Sequence, residues 1–182
     1  MKQASKEDQF TLNIDSILNG QDDRTTIMIR NIPNKYTQQM LLQTLDRTQK
    51  DNYDFFYLPI DFKNNCNMGY AFINFVDSIF IVNFFYQYDG TKWAQFNSDK
   101  ICKITYGRIQ GKKALENNFS TMQQQSDKCS NKVRPMIADK PKPSQQYIEA
   151  IRADLIAKRN QWSDEDEHEN DTMVIGYKFQ RK

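Results

Sequence analysis

The sequence of 182 residues is poor in the residues that build metal and redox sites. It contains one histidine, His168, and three cysteines, Cys66, Cys102 and Cys129, with no CxxC spacing among them. Because a structural zinc site needs about four such ligands at short spacings, we expect no metal and no cofactor. Unpaired cysteines are typical of free thiols in a reducing compartment. We therefore expect an intracellular protein of the nucleus or the cytoplasm.

Long apolar segments are also lacking. The mean hydropathy is -0.81, and no run of residues is long and apolar enough to predict a membrane span. The polar N-terminus, residues 1–6, has no apolar stretch behind it and predicts no secretory signal. The chain has room for one domain of ordinary size plus extensions.

The sequence shows no arrangement of residues that is typical of catalysis. It has no glycine-rich phosphate loop and no Cys/His pair with a base at hand. Carboxylates such as Asp54 and Asp61 have no partner that their spacing identifies. We therefore predict that the protein is not an enzyme.

One stretch, residues 68–75, has the alternation of a half-buried strand. Burial of Ala71, Ile73 and Phe75 on one face would expose Tyr70 and Phe72 side by side on the other. Two adjacent exposed rings favour a flat partner that stacks on them. The order of residue types resembles the octamer signature of the RNA recognition motif (RRM) at seven of eight positions, with Met68 where Lys or Arg is usual.

A second motif lies upstream at the spacing of a single domain. Residues 27–32, Ile-Met-Ile-Arg-Asn-Ile, resemble the hexamer that accompanies the RRM octamer. The resemblance implies that both strands are central in a four-stranded sheet, so that Met28 and Arg30 share a face with Tyr70 and Phe72. The alternative is an ordinary two-layer domain whose exposed rings are covered by its own tail or by another protein.

The apolar pattern predicts the element order βαββαβ. The predicted elements are strand 26–32, a helix capped by Thr37 and running to about residue 50, strand 53–60, strand 68–75, helix 79–88 and strand 101–106. This order is typical of an α+β, ferredoxin-like sandwich of two helices on a four-stranded antiparallel sheet. If Cys102, Ile104 and Tyr106 face inward, Lys103 and Thr105 join the face of Tyr70 and Phe72.

We divide the chain into five segments. They are an N-terminal extension that packs on the domain (1–23), an RRM (24–119), a linker (120–143), an amphipathic helix (144–162), and an acidic segment with a C-terminal tail (163–182). The extension supplies apolar residues between Phe10 and Leu18, and the late helix carries a stripe of Ile148, Ile151 and Leu155. Residues 114–122 predict a further short helix.

Longer stretches resemble the C-terminal RRM of the Mei-two-like family of meiotic RNA-binding regulators. They are residues 24–37, 53–63, 67–75, 90–93, 106–112 and 134–135, within a similar region from about residue 10 to 137. The resemblance implies binding of single-stranded RNA and a post-transcriptional role in meiosis or development, in the nucleus or in RNA processing. Members usually carry more RRMs, whereas this sequence contains essentially the last one.

The predicted RNA-binding residues have three kinds of side chain. Tyr70 and Phe72 would stack on bases, and Met28 would offer a softer apolar contact. Cations would contact phosphates, and an amide would hydrogen-bond to base edges. These further residues are Arg30, Asn74, Lys103, Thr105, Arg108 and Lys112. The alternative function is an RRM that binds a peptide, or that sits in an RNA-processing complex without contacting RNA.

Charge is distributed unevenly along the chain. Residues 24–119 contain twelve Lys and Arg against eight Asp and Glu, whereas residues 164–171 contain six acids and no Lys or Arg. The acidic run either competes with RNA for the basic face or is a solvated tail. Trp162, between basic and acidic residues, resembles tryptophan ligands of RRM-like splicing proteins; alternatively it packs its own helix on the RRM. The oligomeric state is not predicted.

Overall fold

The computed structural model describes residues 8–61, 63–125 and 134–166, with side chains described for residues 9–61, 63–122 and 134–160. A short 3-10 turn at Asp8–Phe10 precedes α1 (Ile14–Leu18). The remaining elements are β1 (Thr26–Arg30), α2 (Gln38–Gln49), β2 (Tyr53–Tyr57), β3 (Ile60–Asp61), β4 (Cys66–Asn67), β5 (Tyr70–Phe75), α3 (Ile79–Tyr88), β6 (Lys103–Tyr106), α4 (Lys112–Gln125), β7 (Met136–Ile137) and α5 (Gln145–Asp166).

The main sheet has five strands in the order β6-β1-β5-β2-β7. Every neighbouring pair is antiparallel, which confirms the predicted α+β sandwich and its βαββαβ order. Strand β7 adds a fifth strand that the sequence did not predict. Strand β2 ends at Tyr57, before Pro59, because proline cannot donate to a ladder. The segment between β2 and β5 contains a small hairpin of β3 and β4.

The two predicted domain helices begin at local capping groups. The Thr37 hydroxyl accepts a hydrogen bond from Met40 N at 3.2 Å, which confirms Thr37 as the cap of α2. At the start of α3, Asp77 Oδ1 accepts from Ile79 N at 3.0 Å. Helix α3 ends just before Gly90, whose φ of 74° is the left-handed conformation that favours glycine.

The core lies between one face of the sheet and the helices α2 and α3. The odd-numbered residues of β5, Ala71, Ile73 and Phe75, are buried there as the alternation predicted. A register shift between Tyr53 and Phe55 marks a β-bulge in β2. Because of this bulge, Tyr53 belongs to the core while Phe55 lies on the opposite face.

The segments on either side of the domain contribute to the same core. Ile17 and Leu18 of α1 are buried in it, as are Ile148 and Leu155 of α5. Arg152 Nη1 donates to the carbonyl oxygens of Ile17 and Leu18 at 2.6 and 2.7 Å, which joins α5 to the C-terminal end of α1. The predicted linker, 120–143, contains the end of α4 and strand β7.

No helix in the described part of the chain is long and apolar enough to cross a membrane. Within the same residues, no three His, Cys, Asp or Glu side chains come together where they could hold a metal ion. Cys66 and Cys102 are free, and burial raises the pKa of the Cys102 thiol to about 12. Cys129 and His168 lie outside the described residues.

Candidate nucleic-acid interface

The face of the sheet opposite the core presents its side chains in rows that cross the strands, since paired residues of antiparallel strands point to the same side. The first row is Lys103, Arg30 and Tyr70; the second is Thr105, Met28, Phe72 and Tyr57; the third is Thr26, Asn74 and Phe55. We call the first and second rows the open face.

The third row is covered by the chain that follows β6. Thr26, Asn74 and Phe55 are 0%, 4% and 2% exposed. Gly107 N donates to Thr26 O at 3.0 Å, and Gly111 N donates to Thr26 Oγ1 at 2.8 Å. A Cβ at Gly107 would lie 3.2 Å from Thr26 Cγ2, so glycine permits this close crossing. The covered row therefore ends the open face on this side.

Asn74 is a structural residue, which corrects the prediction that it contacts base edges. Its Oδ1 accepts from the hydroxyls of Thr25 and Thr26, both at 2.8 Å. Its Nδ2 donates to Asp54 Oδ1 at 2.8 Å and to Phe75 O at 3.2 Å. These bonds use both donors and the acceptor of the amide, and they join β1, β2 and β5. Alternation predicted its face, but not the cover above it.

The open face lines a cavity of about 880 Å³. Tyr70 and Phe72 are half-buried in it, with ring centroids 5.7 Å apart and an interplanar angle of 74°. Met28 pairs with Phe72 across β1 and β5 and is also half-buried. The structure brings together seven of the nine predicted RNA-binding residues here: Met28, Arg30, Tyr70, Phe72, Lys103, Thr105 and Arg108.

Three cations line this cavity. Arg30 and Lys103 are exposed and lie opposite each other on the neighbouring strands β1 and β6. Arg108 lies near the ring of Phe10, 5.7 Å from its centroid. Lys103 Nζ is 3.4 Å from Asp89 Oδ2, an exposed contact of the kind worth about 1 kcal/mol or less. Among the described lining residues there is no carboxylate, histidine or cysteine. The site therefore suits stacking and anion binding.

Lys112, which the sequence predicts to bind phosphate, forms another contact in the structure. Its Nζ donates to Ala138 O at 2.8 Å and to Asp139 Oδ1 at 2.7 Å. The hydrogen bond that Lys112 donates to Asp139 raises the pKa of Lys112 and lowers the pKa of Asp139. Lys112 is not among the residues that line the cavity. Instead it ties the first turn of α4 to the chain just after β7.

Helix α4 forms a wall of the cavity that the sequence analysis missed. Leu115, Phe119 and Met122 line it, and the ring of Phe119 meets that of Tyr57 edge-on with centroids 5.1 Å apart. The signal was present, because these three positions have the i, i+4, i+7 spacing of one helix face. In a two-layer sandwich the helices cover only one face of the sheet, so an additional amphipathic helix can pack on the other face. Phe10 lines the cavity as well.

The predicted partner site at Trp162 stays a prediction. Helix α5 continues to Asp166, but Trp162 lies beyond the described side chains. Most of the acidic run, 164–171, also lies outside the described residues.

The family model described as RNA recognition motif 2 matches residues 24–120. Rice Protein MEI2-like 5 is 52% identical over 133 residues, which cover 72% of this chain and 16% of that protein. Arabidopsis thaliana Protein MEI2-like 5 is 43% identical over 172 residues, which cover 92% of this chain and 21% of that protein. The chain thus spans about a fifth or less of these curated relatives.

Among solved structures, the Rna15 RRM with bound RNA (GU) is similar over 53% of this chain and 96% of that chain, with 16% identity and a TM-score of 0.39.

Proposed function

Because the chain belongs to the RNA recognition motif 2 family and carries an RRM of the MEI2-like (Mei-two-like) type, we propose that it binds single-stranded RNA on the open face. The observation that carries the proposal is the cavity, which combines the rings of Tyr70 and Phe72 with three cations and, among its described lining residues, no carboxylate. This combination suits a polyanion with flat bases.

In the proposed complex, bases stack on Tyr70 and Phe72, and Met28 makes an apolar contact beside them. Arg30, Lys103 and Arg108 contact phosphates, while the Thr105 hydroxyl supplies a hydrogen bond. The RNA is single-stranded because paired bases cannot place their faces against rings on a sheet. Phosphate contacts give affinity and salt dependence and fix the position of the strand, whereas contacts to the bases carry the sequence preference.

The proposed biological role is post-transcriptional control of meiosis or development, acting on RNA in the nucleus or in the cytoplasm. The similarity to MEI2-like proteins supports it. The protein acts by binding, without a catalytic step of its own. The match to the RNA recognition motif 2 family supports this.

A titration with labelled single-stranded RNA hexamers at two salt concentrations tests the proposal. We expect binding that weakens with salt, and at least about tenfold weaker binding by Tyr70→Ala and by Phe72→Ala, since a lost stack is worth roughly 1–3 kcal/mol. Thermal melting serves as the control for folding. Wild-type affinity in either variant would rule out stacking on that ring.

A second candidate function is a peptide-binding module, favoured by the apolar walls that Phe10, Leu115 and Phe119 give the cavity. Such walls would also hold apolar side chains of a peptide. The same titration separates the two functions. If no hexamer binds at low salt, the peptide module becomes the better account.

A further inference from the structure

We infer that helix α4 is part of the RNA-binding site itself, and that Phe119 and Met122 contact a base held at the β2 end of the open face. This inference rests on the proposed function, because it names further contacts in the same cavity. It assigns RNA contacts to a helix outside the main sheet and outside both sequence motifs.

The geometry places the ring of Phe119 next to one end of the second row, at Tyr57. Phe119 meets Tyr57 edge-on, with centroids 5.1 Å apart at an angle of 69°. Tyr57 pairs with Phe72 across β2 and β5, so Phe119 stands next to a predicted stacking residue. Met122, one turn further along α4, lines the same cavity and is 56% exposed. A base stacked on Phe72 would therefore contact apolar side chains of both the sheet and helix α4.

Contacts in its first turn hold helix α4 beside the cavity. Leu115 of α4 is 6% exposed and lines the cavity together with Phe55, which is 2% exposed. Lys112 ties the first turn to Ala138 and Asp139. Removal of α4 by RNA would expose Leu115 and break the contacts of Lys112 with Ala138 and Asp139. Binding with α4 in place avoids these costs.

The wall does not close the site. Met28, Tyr70 and Phe72 all remain partly exposed beside α4. An RNA strand that follows the second row from β6 to β2 thus reaches Phe119 at the end of that row, next to Tyr57. At that point the strand either ends or turns away from the sheet, and its last stacked base touches the helix.

The inference is tested by titrating the full chain with labelled RNA hexamers of U, of A, of C and of mixed sequence. Phe119→Ala should weaken the tightest hexamer about tenfold, as expected for one lost stack. Phe119→Leu keeps an apolar side chain without the ring and should lose less. Asn117→Ala is the matched control, because Asn117 is exposed on α4 and does not line the cavity. It should bind like wild type.

Two results would overturn the inference. Unchanged affinity of Phe119→Ala would mean that α4 does not touch RNA, and tighter binding would mean that α4 is a cover that RNA must displace. If Phe119→Ala fails to fold, Met122→Ala at the exposed position supplies the test, with an expected loss of about threefold, and unchanged binding overturns the inference.

The outcome also separates this inference from the proposed function. If wild type binds, Phe72→Ala is weakened and Phe119→Ala is neutral, only the role of α4 fails. If wild type binds no hexamer, or if Phe72→Ala binds like wild type, the proposed site fails and the inference fails with it.

Discussion

Both faces of the central strand β5 carry large apolar or aromatic side chains, but the two faces differ in what covers them. Ala71, Ile73 and Phe75 are buried beneath the helices of the sandwich. Tyr70 and Phe72, on the other face, stay half-buried beside a cavity. Composition alone therefore does not distinguish a core from a binding surface. The distinction comes from whether another part of the chain covers the side chains.

The face of the sheet opposite the core also contains both covered and accessible side chains. Phe55 lies on the same side of the sheet as Phe72, yet it is fully buried. The segment after β6 and helix α4 cover the third row and leave the open face accessible. Neighbouring aromatic residues on one surface thus have different roles, one in stability and one in the proposed binding.

The largest expected effect is on stability and separates the covered residues from the open ones. Ile73→Ala and Phe55→Ala should each lower the free energy of unfolding by about 2–5 kcal/mol, because each leaves a cavity among buried side chains. Phe72→Ala should cost less than about 1 kcal/mol, since its ring is partly exposed. Urea unfolding measures all three.

The comparison of Phe55 with Phe72 is more direct than that of Ile73 with Phe72. Phe55 and Phe72 are the same residue type on the same face of the sheet, and they differ in how far the chain covers them. Equal losses for these two variants would show that the open face is a second core, and the distinction drawn above would be wrong.

A smaller effect concerns charge. Arg30→Gln should reduce the slope of log Kd against log salt by about 0.7, the value expected when one contact with single-stranded nucleic acid is lost. Lys112→Gln is the matched control, because its Nζ is engaged by Ala138 and Asp139. Its slope should equal that of wild type. A smaller slope for Lys112→Gln than for wild type would show that Lys112 contacts RNA.

Local patterns were enough to predict most of the domain. The period of two in residues 68–75 gave the faces of β5 correctly, and Thr37 caps α2 as its residue type indicated. Seven of the nine predicted RNA-binding residues line one cavity because antiparallel pairing brings motif residues into rows.

The sequence did not predict the contacts between residues that are distant along the chain. Lys112 meets Asp139, 27 residues later, and no local pattern indicates that contact. Asn74 lies on the predicted face, but Thr25, Thr26 and Asp54 occupy its amide. Strand β7 has two residues, too few for any periodicity to be visible.

The most direct test of the central claim is to find which residues touch bound RNA. An RNA hexamer carrying a photoreactive uridine is crosslinked to the full chain, and the attached peptides are sequenced by mass spectrometry. We predict crosslinks at Tyr70 or Phe72 on β5, and none on α2, which covers the opposite face of the sheet. Crosslinks confined to the helical face, with none on β5, would contradict the proposed site.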